Sequence, residues 1–264
     1  MRVLGGWYRG RMPAPVVHCT VSDGVATVTL DSPENRNALS RAVVADLHTA
    51  LDRAEQADIR VIVLTHTGNT FCAGADLKER GAGPVDSTTT VTAFRRLMEA
   101  RQPTIAAVKG AVRAGGVGLM ASCDLVVVPA AADFAFTEVR LGAAPAMISV
   151  PLLRRCSAAR LAAPFLTGER FDAGYAREIG LVSHVAEGTE GVDVQVAALV
   201  AGILAAEPNA VAATKEILRT VPGEALDTAF PRMQHLSESL FASPEAQEGI
   251  RAFFEKRPPS WAVS

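Results

Sequence analysis

Polar and apolar residues alternate from Val16 to Leu30 on both sides of Ser22-Asp23-Gly24. A period of two, interrupted by a turn tripeptide, predicts a β-hairpin. The period then lengthens. Asp31-Ser-Pro-Glu-Asn-Arg-Asn37 reads as a loop and Ser40 as a helix N-cap, and Val43, Val44, Leu47, Ala50, Leu51 and Ala54 form one apolar helical face. Val61–Leu64 predicts a short buried strand, after which Phe71 to Leu77 turns from loop into helix.

The same succession recurs downstream. Residues 81–90 form a link rich in Gly, Ser and Thr, expected to be mobile, and residues 91–100 a helix. Thr104–Val108 predicts a second buried strand, followed by a glycine-rich turn over 110–118 and a helix to Ser122. Asp124–Val128 and Phe134–Phe136 predict a third and a fourth strand. Beyond about residue 145 the pattern is helical, broken at Gly168, at the strand-like segment 181–185, at Pro208 and at Pro222. Strand–turn–helix units in series imply an α/β fold with right-handed parallel crossovers.

Composition narrows the function classes. A chain of 264 residues, 49% hydrophobic, can bury a sizeable core, and a net charge of −2 gives no reason to expect nucleic acid or an anionic membrane as partner. Residues 1–15 lack a signal-peptide apolar core and read as a flexible leader. No apolar run reaches the roughly 18–20 residues that span a bilayer. Cys19, Cys72, Cys123 and Cys156 are far apart, with no C-x-x-C pair. That spacing opposes a zinc ribbon or a thioredoxin-like site and fits a reduced, cytoplasmic setting with buried thiols. The five histidines show no metal-ligand spacing, and neither H-E-x-x-H nor G-x-S-x-G occurs. No metal site is expected, and Ser-His-Asp hydrolysis has no support.

Two turns of small residues carry the candidate chemistry: Phe71-Cys-Ala-Gly-Ala-Asp-Leu77 and Ala114-Gly-Gly-Val-Gly118. Each follows an apolar strand-like run. A helix start leaves backbone N–H groups unpaired, so two such turns can aim two donors at one carbonyl oxygen. Either turn alone is equally an ordinary strand-to-helix connection or a site of close packing. The second fails the G-x-G-x-x-G spacing and lacks the Gly-Lys-Ser/Thr of a P-loop, which opposes nucleotide binding. Glu138 lies in Phe134-Ala-Phe-Thr-Glu-Val-Arg-Leu-Gly142, just past a short strand in apolar surroundings. Desolvation there raises a carboxyl pKa, as a general acid or base needs; a surface glutamate is the alternative. Arg113 and Asp76 are the polar neighbours that could assist it.

These elements occur in an order that resembles the crotonase superfamily, also called the enoyl-CoA hydratase/isomerase family. The resemblance runs from about Val16 to Arg257. It rests on Asp31-Ser-Pro-Glu-Asn-Arg-Asn-Ala-Leu39, Phe71-Cys-Ala-Gly-Ala-Asp-Leu-Lys78, Val108-Lys-Gly-Ala-Val-Arg-Ala-Gly-Gly116, Ser122-Cys-Asp124, Phe136-Thr-Glu-Val-Arg-Leu-Gly142 and Phe253-Phe-Glu-Lys256. It implies a crotonase-like spiral of repeated ββα units over residues 16–195. A C-terminal helical segment, 196–264, would assemble homotrimers or dimers of trimers. The N–H groups of Ala75 and Gly115 would form an oxyanion hole for a thioester carbonyl. Arg36, Ala73, Asp76 and Leu77 would line the CoA groove, and Phe253 and Lys256 would reach the CoA of a neighbouring subunit.

One departure stands out. Short-chain hydratases of this family hold water between two glutamates, and here Gly118 occupies the first position while Glu138 matches the second. The leading expectation is an enzyme that hydrates a 2-enoyl-CoA with Glu138 as its one acid/base. A Δ3,Δ2-enoyl-CoA isomerase and a non-catalytic acyl-CoA-binding protein are the alternatives. No cofactor is expected, since coenzyme A enters as part of the substrate.

Overall fold

The computed structural model describes residues 14–83 and 86–262. The leader expected over residues 1–15 lies almost wholly outside the described residues. β1 (Val17–Ser22) and β2 (Val25–Leu30) pair antiparallel, with Ser22 opposite Val25. Asp23 and Gly24 take φ of 50° and 76°, the left-handed pair that a two-residue hairpin turn requires. α1 (Arg41–Ala54) begins at Ser40, whose Oγ accepts from Val43 N–H at 3.2 Å, and it buries all six predicted apolar positions.

Three related units follow. In the first, β3 (Val61–His66) and β4 (Thr70–Cys72) lead to α2 (Leu77–Gly81) and α3 (Thr88–Glu99). In the second, β5 (Thr104–Ala107) and β6 (Ala111–Arg113) lead to α4 (Gly115–Ala121). In the third, β7 (Leu125–Pro129) and β8 (Asp133–Ala135) lead to a 3-10 turn, Thr137–Leu141, and to α5 (Ala146–Leu153). The chain continues through α6 (Ala158–Thr167), β9 (Arg170–Asp172), α7 (Ala173–Glu178), β10 (His184–Ala186) and α8 (Gly188–Ala205). It closes with α9 (Pro208–Thr220), α10 (Leu226–Phe241) and α11 (Pro244–Glu255).

Each unit gives its first strand to a six-stranded sheet, ordered β1-β2-β3-β5-β7-β10, and its second to a four-stranded sheet, ordered β4-β6-β8-β9. β1–β2 and β8–β9 are antiparallel and the other pairs parallel. The two-residue period along a strand sorts the large sheet into two faces. Ile62, Leu64, Ala106, Val126 and Val128 join the main core with Phe71, Phe134, Phe136, Leu119 and Met120. Val61, Val63, Ile105, Ala107 and Val127 face the other way, against Val192 and Val196 of α8.

Several boundaries differ from expectation. β4, β6 and β9 are three residues each, too short for a period to register, and fall where the sequence reads as loop, turn or helix. The helix expected from residue 91 begins at Thr88. The boundary expected at residue 195 falls inside α8, whose packing on β3, β5, β7 and β10 makes it part of the sheet layer. α8, at 18 residues, is also long and apolar enough by length and composition to cross a bilayer, although Glu190 and Asp193 interrupt its apolar run.

Candidate active site

The first turn leaves β4 at Cys72. Gly74 takes φ of +88°, a conformation that glycine tolerates and L side chains rarely do. Its carbonyl accepts from Leu39 N–H at 2.7 Å, and Leu39 forms an isolated parallel bridge with Ala75. The bond to Gly74 O leaves Ala75 N–H itself free. The Asp76 carboxylate accepts from Lys78 N–H at 2.9 Å and Glu79 N–H at 3.2 Å, capping α2, and from Asn35 Nδ2 at 2.8 Å. The Asn35 bond foremost holds its pKa below the usual carboxylate range. Its side chain is therefore fixed as a cap and is not available to assist Glu138.

The second turn runs from β6 into α4 through Ala114, at φ 46° and ψ −122°. A non-glycine residue at positive φ is strained, and here the strain is held from both sides. Ala114 N–H donates to Ala135 O at 2.9 Å, and Val117 N–H donates to Ala114 O at 2.9 Å. This twist sets the first N–H of α4, at Gly115, outside the helix. A Cβ on Gly116 would stand 2.7 Å from Cys72 Cβ, so only glycine lets α4 pack this closely on β4.

The two turns touch. A Cβ on Gly74 would lie 3.0 Å from Gly115 N, and one on Gly115 would lie 3.6 Å from Ala75 N. Among the described residues, no hydrogen bond runs from Ala75 N–H or Gly115 N–H to another group of the chain. Two unpaired donors thus lie where the two turns meet, and donors of that kind are what can hold an oxyanion.

The Asp31–Arg36 loop is tied to the same edge. Ala73 N–H donates to Arg36 O at 3.0 Å, with Arg36 in a left-handed conformation at φ 51°. Asn37, 0% exposed, accepts from Ser32 N–H at 2.7 Å and donates to Thr67 O at 3.0 Å and Thr70 O at 2.8 Å. Its three bonds hold the loop against the β3–β4 connection. Nothing in the sequence motif sets Asn37 apart from its polar neighbours; a buried amide announces itself only through its partners. Arg36, Ala73, Ala75, Asp76 and Leu77 are thereby brought together along two stitched loops, with the Leu77 side chain exposed.

Glu138 is the second residue of the 3-10 turn that follows Phe136, whose buried ring packs edge-on against Phe165. Its carbonyl accepts from Ala143 N–H at 3.0 Å, which fixes the backbone. The side chain is half-buried, and its Oε2 is buried without a hydrogen-bond partner. Burial raises its pKa above the ordinary glutamate value, only partly offset by its own backbone N–H. Arg113 does not assist. Its guanidinium donates to Val112 O at 2.9 Å and Asp133 O at 2.7 Å and pairs with the Asp133 carboxylate.

At Gly118 the space for a side chain is occupied. A Cβ there would stand 2.8 Å from Ile148 Cβ and 3.0 Å from Phe94 Cε2. Neither residue stands out in the sequence, since their apolar character says nothing of which glycine they face. Phe253 is exposed and lines a cavity between α10 and α11 with Phe241 and Trp261, while Lys256 caps α11 at φ 54°. None of these belongs to the two turns.

The chain matches the family model described as Enoyl-CoA hydratase/isomerase over residues 20–263. A Thermus thermophilus protein, provisionally named an enoyl-CoA hydratase, is 37% identical over 244 residues, covering 89% of this chain and 96% of its own. The 2,3-dehydroadipyl-CoA hydratase of Escherichia coli is 33% identical over 243 residues, covering 90% and 94%. Among solved structures, the enoyl-CoA hydratase of Mycobacterium smegmatis superposes with a TM-score of 0.88 at 32% identity, covering 94% of this chain and 100% of that one.

Proposed function

This chain belongs to the enoyl-CoA hydratase/isomerase family, the crotonase superfamily, and on that footing we propose that it moves a proton on the α-carbon of an unsaturated acyl-CoA thioester. The thioester oxygen accepts from Ala75 N–H and Gly115 N–H. Two fixed donors stabilise the enolate as its charge develops, and loss of one such donor typically costs about 100- to 1000-fold in rate. Glu138 is the base. The observation that carries the proposal is the contact of the two turns, with one unpaired N–H group on each.

A single carboxylate suffices for double-bond migration. Glu138 takes the C2 proton of a 3-enoyl thioester, and the C2–H electron pair forms the dienolate. Glu138 then delivers the proton to C4, the double bond comes to rest between C2 and C3, and the carbonyl re-forms. Nothing else is consumed. The unpaired Oε2 and its raised pKa suit both halves of this transfer.

Hydration is the second reading, favoured by the names of relatives such as 2,3-dehydroadipyl-CoA hydratase. There the oxygen of water bonds to C3, its proton passes to Glu138, and Glu138 returns a proton to C2. Incubation with 3-hexenoyl-CoA and with crotonyl-CoA separates the two. Rising absorbance of the conjugated thioester marks migration, and falling absorbance with crotonyl-CoA marks hydration. Measurable affinity for the esters, with neither change and no exchange of the C2 proton in D2O, would make the chain a binder only.

Assembly belongs to the same proposal. α10 and α11 leave Phe230, Phe241, Phe253 and Phe254 exposed, and a cluster of that kind favours burial against another subunit. A homotrimer or a dimer of trimers would bring Phe253 and Lys256 toward a neighbour's CoA. Sedimentation of the protein as a monomer would remove this part.

A further inference from the structure

Gly115 and Gly118 are three residues apart on α4, and positions i and i+3 share one face of a helix with Cβ atoms about 5–6 Å apart. A Cβ on Gly115 would meet Leu39 Cδ1 at 3.2 Å, Gly74 Cα at 3.5 Å and Ala75 N at 3.6 Å, so this face borders the first turn and its unpaired N–H. One turn on, at Gly118, the face is closed by Ile148 and Phe94, which are 2% and 4% exposed. Ile148 sits on α5, reached from the Glu138 turn by the short connection through Gly142 and Pro145. The base and the plug therefore arrive on one segment of chain.

A buried water needs two to four polar partners. Glu138 Oε2 is buried and unpaired, and so is open to a water, whereas the three atoms nearest a Cβ on Gly118 are all carbons, of Ile148 and Phe94. We infer that Ile148, backed by Phe94, is a specificity-determining residue. It denies a water molecule the second partner it needs beside the anion hole, and so commits the enolate to proton return over water addition. The inference rests on the proton-transfer function proposed above.

Ile148→Thr and Ile148→Val test it as a pair, because the two replacements have nearly the same shape and differ in a hydroxyl. The quantity to measure is the ratio of water addition to double-bond migration, with C2 proton exchange in D2O followed alongside. Thr is expected to raise the ratio by about tenfold or more, and Val to leave it within about twofold. Phe94→Tyr brings a hydroxyl from the α3 side and is expected to shift the ratio the same way, so the outcome does not hang on one variant folding. A ratio unmoved by both hydroxyl variants, with C2 exchange intact, overturns the role of Ile148. So does a wild-type protein that hydrates faster than it isomerises. Absence of C2 exchange in the wild type would instead strike the underlying proton-transfer function.

Discussion

Gly74 faces Gly115 across the two turns so closely that a methyl group on Gly74 would stand 3.0 Å from the Gly115 nitrogen and 2.8 Å from Ala114 Cβ. Rigid atoms, the Ala114 Cβ and the backbone on either side of it, meet the added methyl, and φ of +88° adds strain of its own. Gly74→Ala is expected to part the two donors and lower kcat/KM about 100-fold, the typical cost of one oxyanion donor. The loss should fall mainly on kcat, since the donors act on charge that appears only in the transition state. A folded Gly74→Ala variant with wild-type turnover would dissolve the anion hole.

Glu138→Gln keeps the shape of the side chain and removes its basicity. Turnover is expected to fall about 1000-fold or more, while acyl-CoA affinity, measured by calorimetry, stays within a few-fold. Burial raises the Glu138 pKa, and a base works only when deprotonated. Wild-type kcat/KM should therefore climb with pH through an ionisation above the ordinary glutamate value and level off beyond it. A profile flat down to pH 4 would exclude Glu138 as the base.

The same ionisation leaves a mark on stability. Between the unfolded and the raised folded pKa, the native state holds more protons than the unfolded chain, so stability falls as pH rises through that window. Glu138→Gln escapes this penalty. The variant should melt at a higher temperature than wild type at pH 8, and the difference should shrink towards nothing at pH 4, where the carboxyl is mostly protonated in both states. Equal melting temperatures at both pH values would place the carboxylate in a wetter setting than its buried Oε2 indicates.

Asn37 bears on stability and on ligand affinity together. Asn37→Ala leaves Ser32 N–H without its acceptor and removes the donor to Thr67 O and Thr70 O. Orphaned buried groups cost about 1–3 kcal/mol each, and solvent entry reduces the sum, so a loss of about 3 kcal/mol in urea unfolding is expected. The Asp31–Arg36 loop should also loosen from Ala73, weakening acyl-CoA binding. Full stability in the Ala variant would mean that the loop holds its shape without this amide.

Much of the architecture is legible along the chain. Ser40 and six apolar positions of α1 predict a helix with one buried face, and all six are buried, because a helix period is local and repeats. The hairpin turn at Asp23-Gly24 and the strands β3, β5 and β7 register for the same reason. The two glycine turns and Glu138 are visible too, as residue types that strand-to-helix turns and proton transfer demand.

Other features belong to the packed molecule alone. β4, β6 and β9 are strands only because partners exist to pair with them, and three residues carry no period. That Gly74 abuts Gly115, 41 positions along the chain, follows from parallel β4–β6 pairing bringing the two turns to the same edge. Asp76 and Arg113 look from the sequence like helpers of Glu138, and it is the nearness of Asn35 and Asp133 that assigns them elsewhere. Ile148 is one apolar residue among many until α5 folds it onto Gly118. Local pattern chooses which groups the chain can offer; only the crossing of distant segments decides which of them meet, because contact between residues far apart in sequence has no signature within either segment.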